Sequence, residues 1–116
     1  MKRARDFRRI LIFKGPMDMR KQSNGLAEVV EDIMKENPFE DCLFLFCNRK
    51  RDIIKGLYFD KAGFCLWTKK LDQSKFPWLK DGGKHEIELS YRDVDLLLDG
   101  VNIFTRHKKL KFQSIS

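Results

Sequence analysis

Residues 43–78 read LFLFCNRKRDIIKGLYFDKAGFCLWTKKLDQSKFPW, and their periodicity decides the fold. The stretch opens inside a continuous apolar run, Cys42 to Cys47. A strand buried on both faces needs no polar alternation, so this run reads as a central strand. Asn48-Arg49-Lys50-Arg51 follows as a turn. From Asp52 to Phe59 the pattern alternates, with Ile53, Leu57 and Phe59 on one parity. Asp60-Lys61-Ala62-Gly63 is a second turn. Phe64 to Lys70 is a third strand, carrying Phe64 and Leu66 on one side and Cys65 and Trp67 on the other. Three strands joined by two short turns make a meander.

The flanks extend this unit. Phe7 to Lys14 contains Ile10, Leu11, Ile12 and Phe13, a short buried strand broken by Gly15-Pro16. Asp18 suits a helix N-cap, its carboxylate accepting N–H groups of the first turn. The helix is expected to run to about Glu36, because Leu26, Val29, Val30, Ile33 and Met34 form one apolar stripe and Asn37-Pro38 ends it. Gly25 inside it costs about 1 kcal/mol relative to alanine, which predicts a kink or close packing there. Residues 72–84 read as loop, and His85 to Leu89 as a short strand. Ser90 with Asp93 resembles a capping box opening a short helix through Leu98, closed by Gly100.

The predicted fold is therefore α+β. A small antiparallel sheet (the meander at about 42–70 plus an N-terminal strand) is packed by one long helix and a short C-terminal helix. The 116 residues suit one domain, 1–116, with a basic N-terminal arm over 1–6 and a basic C-terminal tail over 106–116. No apolar stretch approaches the roughly 20 residues that span a bilayer, and Ile10 to Phe13 is too short for a signal-peptide core. Cys42, Cys47 and Cys65 are odd in number and lie inside apolar runs, which fits buried free thiols in a reducing cytoplasm better than a disulfide framework. They form no C-x-x-C, and His85 and His107 stand at no metal-ligand spacing to them.

Net charge is +7, and it alternates along the chain. Residues 1–21 hold eight Lys/Arg against two acids, 22–48 one against six, and 49–84 ten against four. Residues 85–105 hold one against five, and the tail adds four basic groups. Alternation of this kind predicts a folded object with a basic side and an acidic side.

Several stretches together resemble a known family. They are GPMDMRK (Gly15 to Lys21), Gly25-Leu26, Asn37-Pro38-Phe39, LFLFCNRKRD (Leu43 to Asp52), LYFDKAGFCLWTKKL (Leu57 to Leu71), Phe76-Pro77-Trp78 and Leu97-Leu98-Asp99-Gly100. In this order and spacing they resemble the small accessory protein, TnpB or second open reading frame, of bacterial insertion sequences of the IS-sixty-six type. The chain is far too small for the RNA-guided nucleases that share the name TnpB. The resemblance implies a role in transposition beside a separate, larger transposase of the same element.

No catalytic constellation emerges from the residues. Asp18, Asp60 and Asp72 have simpler readings as cap, turn and loop residues than as a metal-binding triad. No Ser–His–acid pattern and no P-loop is present. No cofactor, membrane or small-molecule substrate is indicated. Basic and aromatic residues are instead interleaved in a way that suits phosphates and base faces. The DNA-binding residues expected are Arg20, Lys21, Arg49, Lys50, Arg51, Lys55, Trp67, Lys69 and Lys70. Against this, a basic turn is often only a solvated turn, and a strand tryptophan is commonly a packing residue. The expected function is a non-catalytic DNA-binding accessory factor in transposition. The alternative is an adaptor that docks the separate transposase through the acidic helix and the acidic segment 86–99 without touching DNA.

Overall fold

A computed structural model of the chain describes residues 2–80 and 82–104. Strands Arg9–Pro16 (β1), Cys42–Cys47 (β2), Ile53–Asp60 (β3), Gly63–Lys70 (β4) and Glu86–Glu88 (β5) form one sheet in the order β4-β3-β2-β1-β5. The helices are Ser23–Asp32 (α1) and Tyr91–Leu98 (α2), and a 3-10 turn covers Ala4–Asp6. The meander lies where the sequence put it: Phe44 pairs with Leu57 across β2 and β3, and Gly56 with Trp67 across β3 and β4.

The sheet is mixed, which corrects the antiparallel expectation. β1 runs parallel to β2, with Arg9 opposite Cys42 and Ile12 opposite Leu45. Parallel neighbours need a long crossover, and the segment carrying α1 supplies it. The apolar pattern of β1 carries no sign of direction, so the sequence left this open. β5 adds antiparallel to the free edge of β1, through Leu11 to Glu88 and Phe13 to Glu86.

The two helices cover opposite faces. Leu11, Phe13, Phe44, Phe46 and Leu57 meet Leu26, Val29 and Val30 of α1. Ile10, Ile12, Leu43, Leu45 and Ile54 meet Phe7, Phe76, and Val94 and Leu97 of α2. β2 lies in the middle with every residue buried, which is why its sequence is continuously apolar.

Boundaries shift in the N-terminal arm and at both ends of the long helix, which stops at Asp32 rather than near Glu36. The long helix begins at Ser23 rather than after Asp18, and its N-cap Gln22 makes no side-chain cap bond. Gly25 lies beside the stem of Lys21, whose Cβ is 3.4 Å from where a glycine Cβ would stand, an ordinary van der Waals contact that does not itself demand glycine. α2 has the predicted cap: Ser90 Oγ accepts the N–H of Asp93 at 3.2 Å. The stretch expected as a basic arm is partly folded, since Lys2 Nζ lies 2.8 Å from Asp41 and the Arg3 N–H donates to Asp6. The basic tail at 106–116 and His107 lie outside the described residues. Among the described residues no helix is long and apolar enough to cross a membrane.

Candidate nucleic-acid interface

The turn between β2 and β3 is built by Asn48. Its Oδ1 accepts the N–H groups of Asp52 and Ile53 at 3.0 and 3.1 Å, and its Nδ2 donates to Asp52 Oδ1 at 2.6 Å. The Arg51 N–H donates to the Asn48 carbonyl at 3.0 Å, and the Arg51 carbonyl accepts the N–H of Phe76 at 2.6 Å. Arg51 itself stands at φ 61°, a left-handed conformation that costs a side-chain-bearing residue roughly 1–2 kcal/mol. The backbone of the turn is thus fixed from both sides. Its side chains are not: Arg49, Lys50 and Arg51 are exposed, and no hydrogen bond or ion pair among the described residues engages them. The Asn48 hydrogen bond holds the Asp52 carboxyl below its ordinary range, with Lys70 and Lys50 adding smaller electrostatic contributions. Arg49 and Arg51 border a groove of about 430 Å³ that also takes in Gly15, Trp78 and Lys80.

Arg20 and Lys21 lie at the same end of the sheet. The segment after β1 leaves beside β2, where the Met17 N–H donates to the Cys47 carbonyl at 2.8 Å. It then passes over Lys55, whose Nζ donates to the carbonyls of Met19 and Lys21 at 2.7 and 3.1 Å. Lys55 is 7% exposed. Its ammonium is spent inside the fold, which separates it from the exposed cations it was grouped with. Arg20 is exposed but grips Asp18 with Nε and Nη2, at 2.8 Å for the shortest contact. That grip draws the Asp18 carboxyl down to about 2. Lys21 keeps an exposed ammonium. Lys70 pairs across from Ile53, next to the turn.

Alternation separates the remaining two residues. Trp67 and Lys69 point to the α2 face, whereas Lys70 points to the α1 face. Lys69 Nζ donates to the Leu98 carbonyl at 2.6 Å, a cation on the C-terminus of α2, where the helix dipole favours it. Trp67 is half-buried and lies over Gly56, where a Cβ would stand 2.4 Å from the indole Cε2. Trp78 is also half-buried; its Nε1–H donates to the Phe13 carbonyl at 2.9 Å. One end of the sheet therefore gathers Arg20, Lys21, Arg49, Lys50, Arg51 and Lys70. Sequence reasoning missed Lys80, because only the loop 71–80 folding back across the sheet brings it to the turn.

The opposite edge gathers Glu36, Glu86 and Glu88. Arg9 Nε lies 2.9 Å from Glu88 and its Nη1 3.3 Å from Glu36. Burial and a hydrogen bond to Glu36 push the Glu86 carboxyl up to about 7. Burial also pushes the thiols of Cys42 and Cys47 up to about 12, which keeps both protonated and poorly nucleophilic.

The sequence matches a family model described as "IS66 Orf2 like protein" over residues 8–108. The chain belongs to this family. Membership gives it an accessory role associated with insertion sequences, in a family of accessory rather than known catalytic proteins. Two similar proteins come from Sinorhizobium fredii (strain NBRC 101917 / NGR234) and bear the names "Uncharacterized protein y4hO" and "Uncharacterized protein y4jC". The first is 36% identical over 95 residues, covering 81% of each chain. The second is 33% identical over 103 residues, covering 87% of this chain and 85% of its own. No solved structure matches. The family's match spans every strand of the sheet and both helices, so the basic end and the acidic edge both fall within it.

Proposed function

We propose that this IS66 Orf2-like protein is a non-catalytic accessory factor that holds DNA at the basic end of its sheet. The observation that carries the reading is the β2–β3 turn: three consecutive exposed cations on a backbone locked by Asn48. Free guanidinium and ammonium groups neutralise phosphates, and a fixed turn presents them without the cost of ordering its backbone. Lys70, Lys21 and Lys80 extend the same side, and Arg20 joins it with part of its charge committed to Asp18. Contacts of this kind supply affinity rather than sequence choice. Lys55 and Lys69 act as positioning residues in this account: Lys55 seats the loop that carries Arg20 and Lys21. The separate transposase of the same element is the protein partner, and the protein works in the cytoplasm. The test is binding of purified protein to labelled element-end DNA, and to scrambled DNA of equal length, across a salt series. Affinity falling steeply with salt supports the reading, and no binding to either DNA at low salt refutes it.

A specific observation favours the adaptor reading as second choice. Phe39 is 55% exposed and stands 5.0 Å from Phe59 and 5.4 Å from Phe64. An aromatic patch on the face of the acidic helix α1 fits a protein partner bearing basic and apolar groups. Co-purification with the transposase after nuclease treatment in high salt supports it, and loss of the complex under those conditions speaks against it.

A further inference from the structure

The face opposite α1 carries a second basic site, distinct from the β2–β3 turn. A groove of about 560 Å³ runs between the N-terminal 3-10 turn and the C-terminal end of α2, in the size range of small-ligand sites. Trp67 and Leu43 contribute from the sheet, Leu98 from α2, and Arg3 and Arg5 from the 3-10 turn. Glycine at position 56 lets the indole settle directly on β3, since any Cβ there would collide with the ring. The rest of the ring borders the groove. Charge around it is one-sided: Lys2, Arg3, Arg5 and Lys69 against Asp95. Lys2 is held by Asp41 and lies 4.6 Å from the centre of the Phe7 ring, and Lys69 by the Leu98 carbonyl. That leaves Arg3 and Arg5 as exposed guanidinium groups at the rim.

A half-buried indole beside two exposed guanidinium groups combines a flat apolar surface with two phosphate donors. Duplex DNA offers phosphates but keeps its base faces stacked and hidden. An unpaired strand offers both at once, because every base has an exposed π-face. We infer that the Trp67 groove takes an unpaired stretch of DNA, with a base against the indole and flanking phosphates at Arg3 and Arg5. The inference goes beyond the turn reading above and gives the protein a separate contact, with single strand, on the other face of the sheet. Sequence reasoning placed Trp67 and Lys69 in one basic surface with the turn; the alternation of β4 puts them on a surface of their own.

Anisotropy titrations with a labelled 12-nucleotide oligo(dT) and a duplex of equal length separate the two contacts. Trp67→Leu is expected to weaken oligo(dT) binding by at least about fivefold, the weight of one base–aromatic stack, with duplex binding unchanged. Arg3→Gln with Arg5→Gln, both exposed, is expected to weaken oligo(dT) more than duplex and leave thermal stability intact; this pair decides the matter should Trp67→Leu unfold. Oligo(dT) bound equally by wild type and by the folded variants overturns the inference. So does deoxythymidine monophosphate binding as tightly as the oligonucleotide, which makes the occupant a free nucleotide. Oligo(dT) binding that depends on Trp67, in a protein that ignores duplex, removes the turn reading and leaves this one standing.

Discussion

The β2–β3 turn and the bodies of β3 and β4 carry the same residue types and use them in opposite ways. In the turn, Arg49, Lys50 and Arg51 point to solvent, and side chains and backbone elsewhere hold only their main chain. In the strands, Lys55 and Lys69 each give their ammonium to carbonyls that secondary structure leaves open, one set in the loop after β1 and one at the end of α2. A cation in a strand facing the interior has to find an acceptor, because an unpaired buried charge is costly. A cation on a braced turn has no such obligation and stays available to a partner. Basic content alone therefore does not locate a nucleic-acid surface, and the proposed interface is built from the unspent cations.

The largest effects are expected where internal lysine contacts and their neighbours are broken. Lys55→Met leaves the Met19 and Lys21 carbonyls without their donor and should cost roughly 1–3 kcal/mol in chemical denaturation. A variant as stable as wild type would mean that the ammonium is not the brace described. Gly56→Ala forces the indole of Trp67 off β3 and should cost about 1–3 kcal/mol, the usual penalty of overpacking. Wild-type stability with unchanged tryptophan fluorescence would show that the ring does not lie on Gly56. Lys69→Met removes one charge-assisted bond at the end of α2. About 1 kcal/mol is expected, smaller at high salt because part of it is dipole interaction.

Much of this contrast was legible beforehand, and the illegible part has a physical cause. The three meander strands and Ser90 as the cap of α2 follow from period, turn residues and capping chemistry, all local in sequence. The exposure of Arg49 to Arg51 also follows from their place in a turn. That Lys55 turns inward was hidden, because its acceptors lie 34 and 36 residues away on a loop whose path depends on β1 running parallel to β2. Strand direction leaves no mark in an apolar run. Lys69 and Lys70, adjacent in sequence, were read together although alternation alone sends them to opposite faces. Asn48 was legible as a turn residue but not as the brace of the turn. Asp18 passed for a helix cap because its local pattern fits one, yet it caps a turn ahead of α1 and holds Arg20.

The smallest effect concerns that last pair. With the Asp18 carboxyl drawn from its ordinary value near 3.8 to about 2, its contribution to stability is fully present above pH 3.8 and is lost as pH falls toward 2. The pair is exposed, so the change in stability is slight and the titration itself is the readout. Arg20→Ala should return the Asp18 carboxyl toward 3.8 in a carboxylate NMR titration. No movement would show that the guanidinium does not hold it, and Arg20 would rejoin the unspent cations.

The central claim is that the turn, and not the strand lysines, meets phosphate. The direct measurement is the salt dependence of duplex DNA affinity for wild type, for Arg49→Gln/Lys50→Gln/Arg51→Gln, and for Lys69→Met. Each lost phosphate contact lowers the slope of log affinity against log salt by about 0.9. The account predicts a slope reduced by up to about 2.7 in the turn variant at near wild-type stability, and an unchanged slope for Lys69→Met. A turn variant that keeps the wild-type slope, or a strand variant that loses it, would contradict the account.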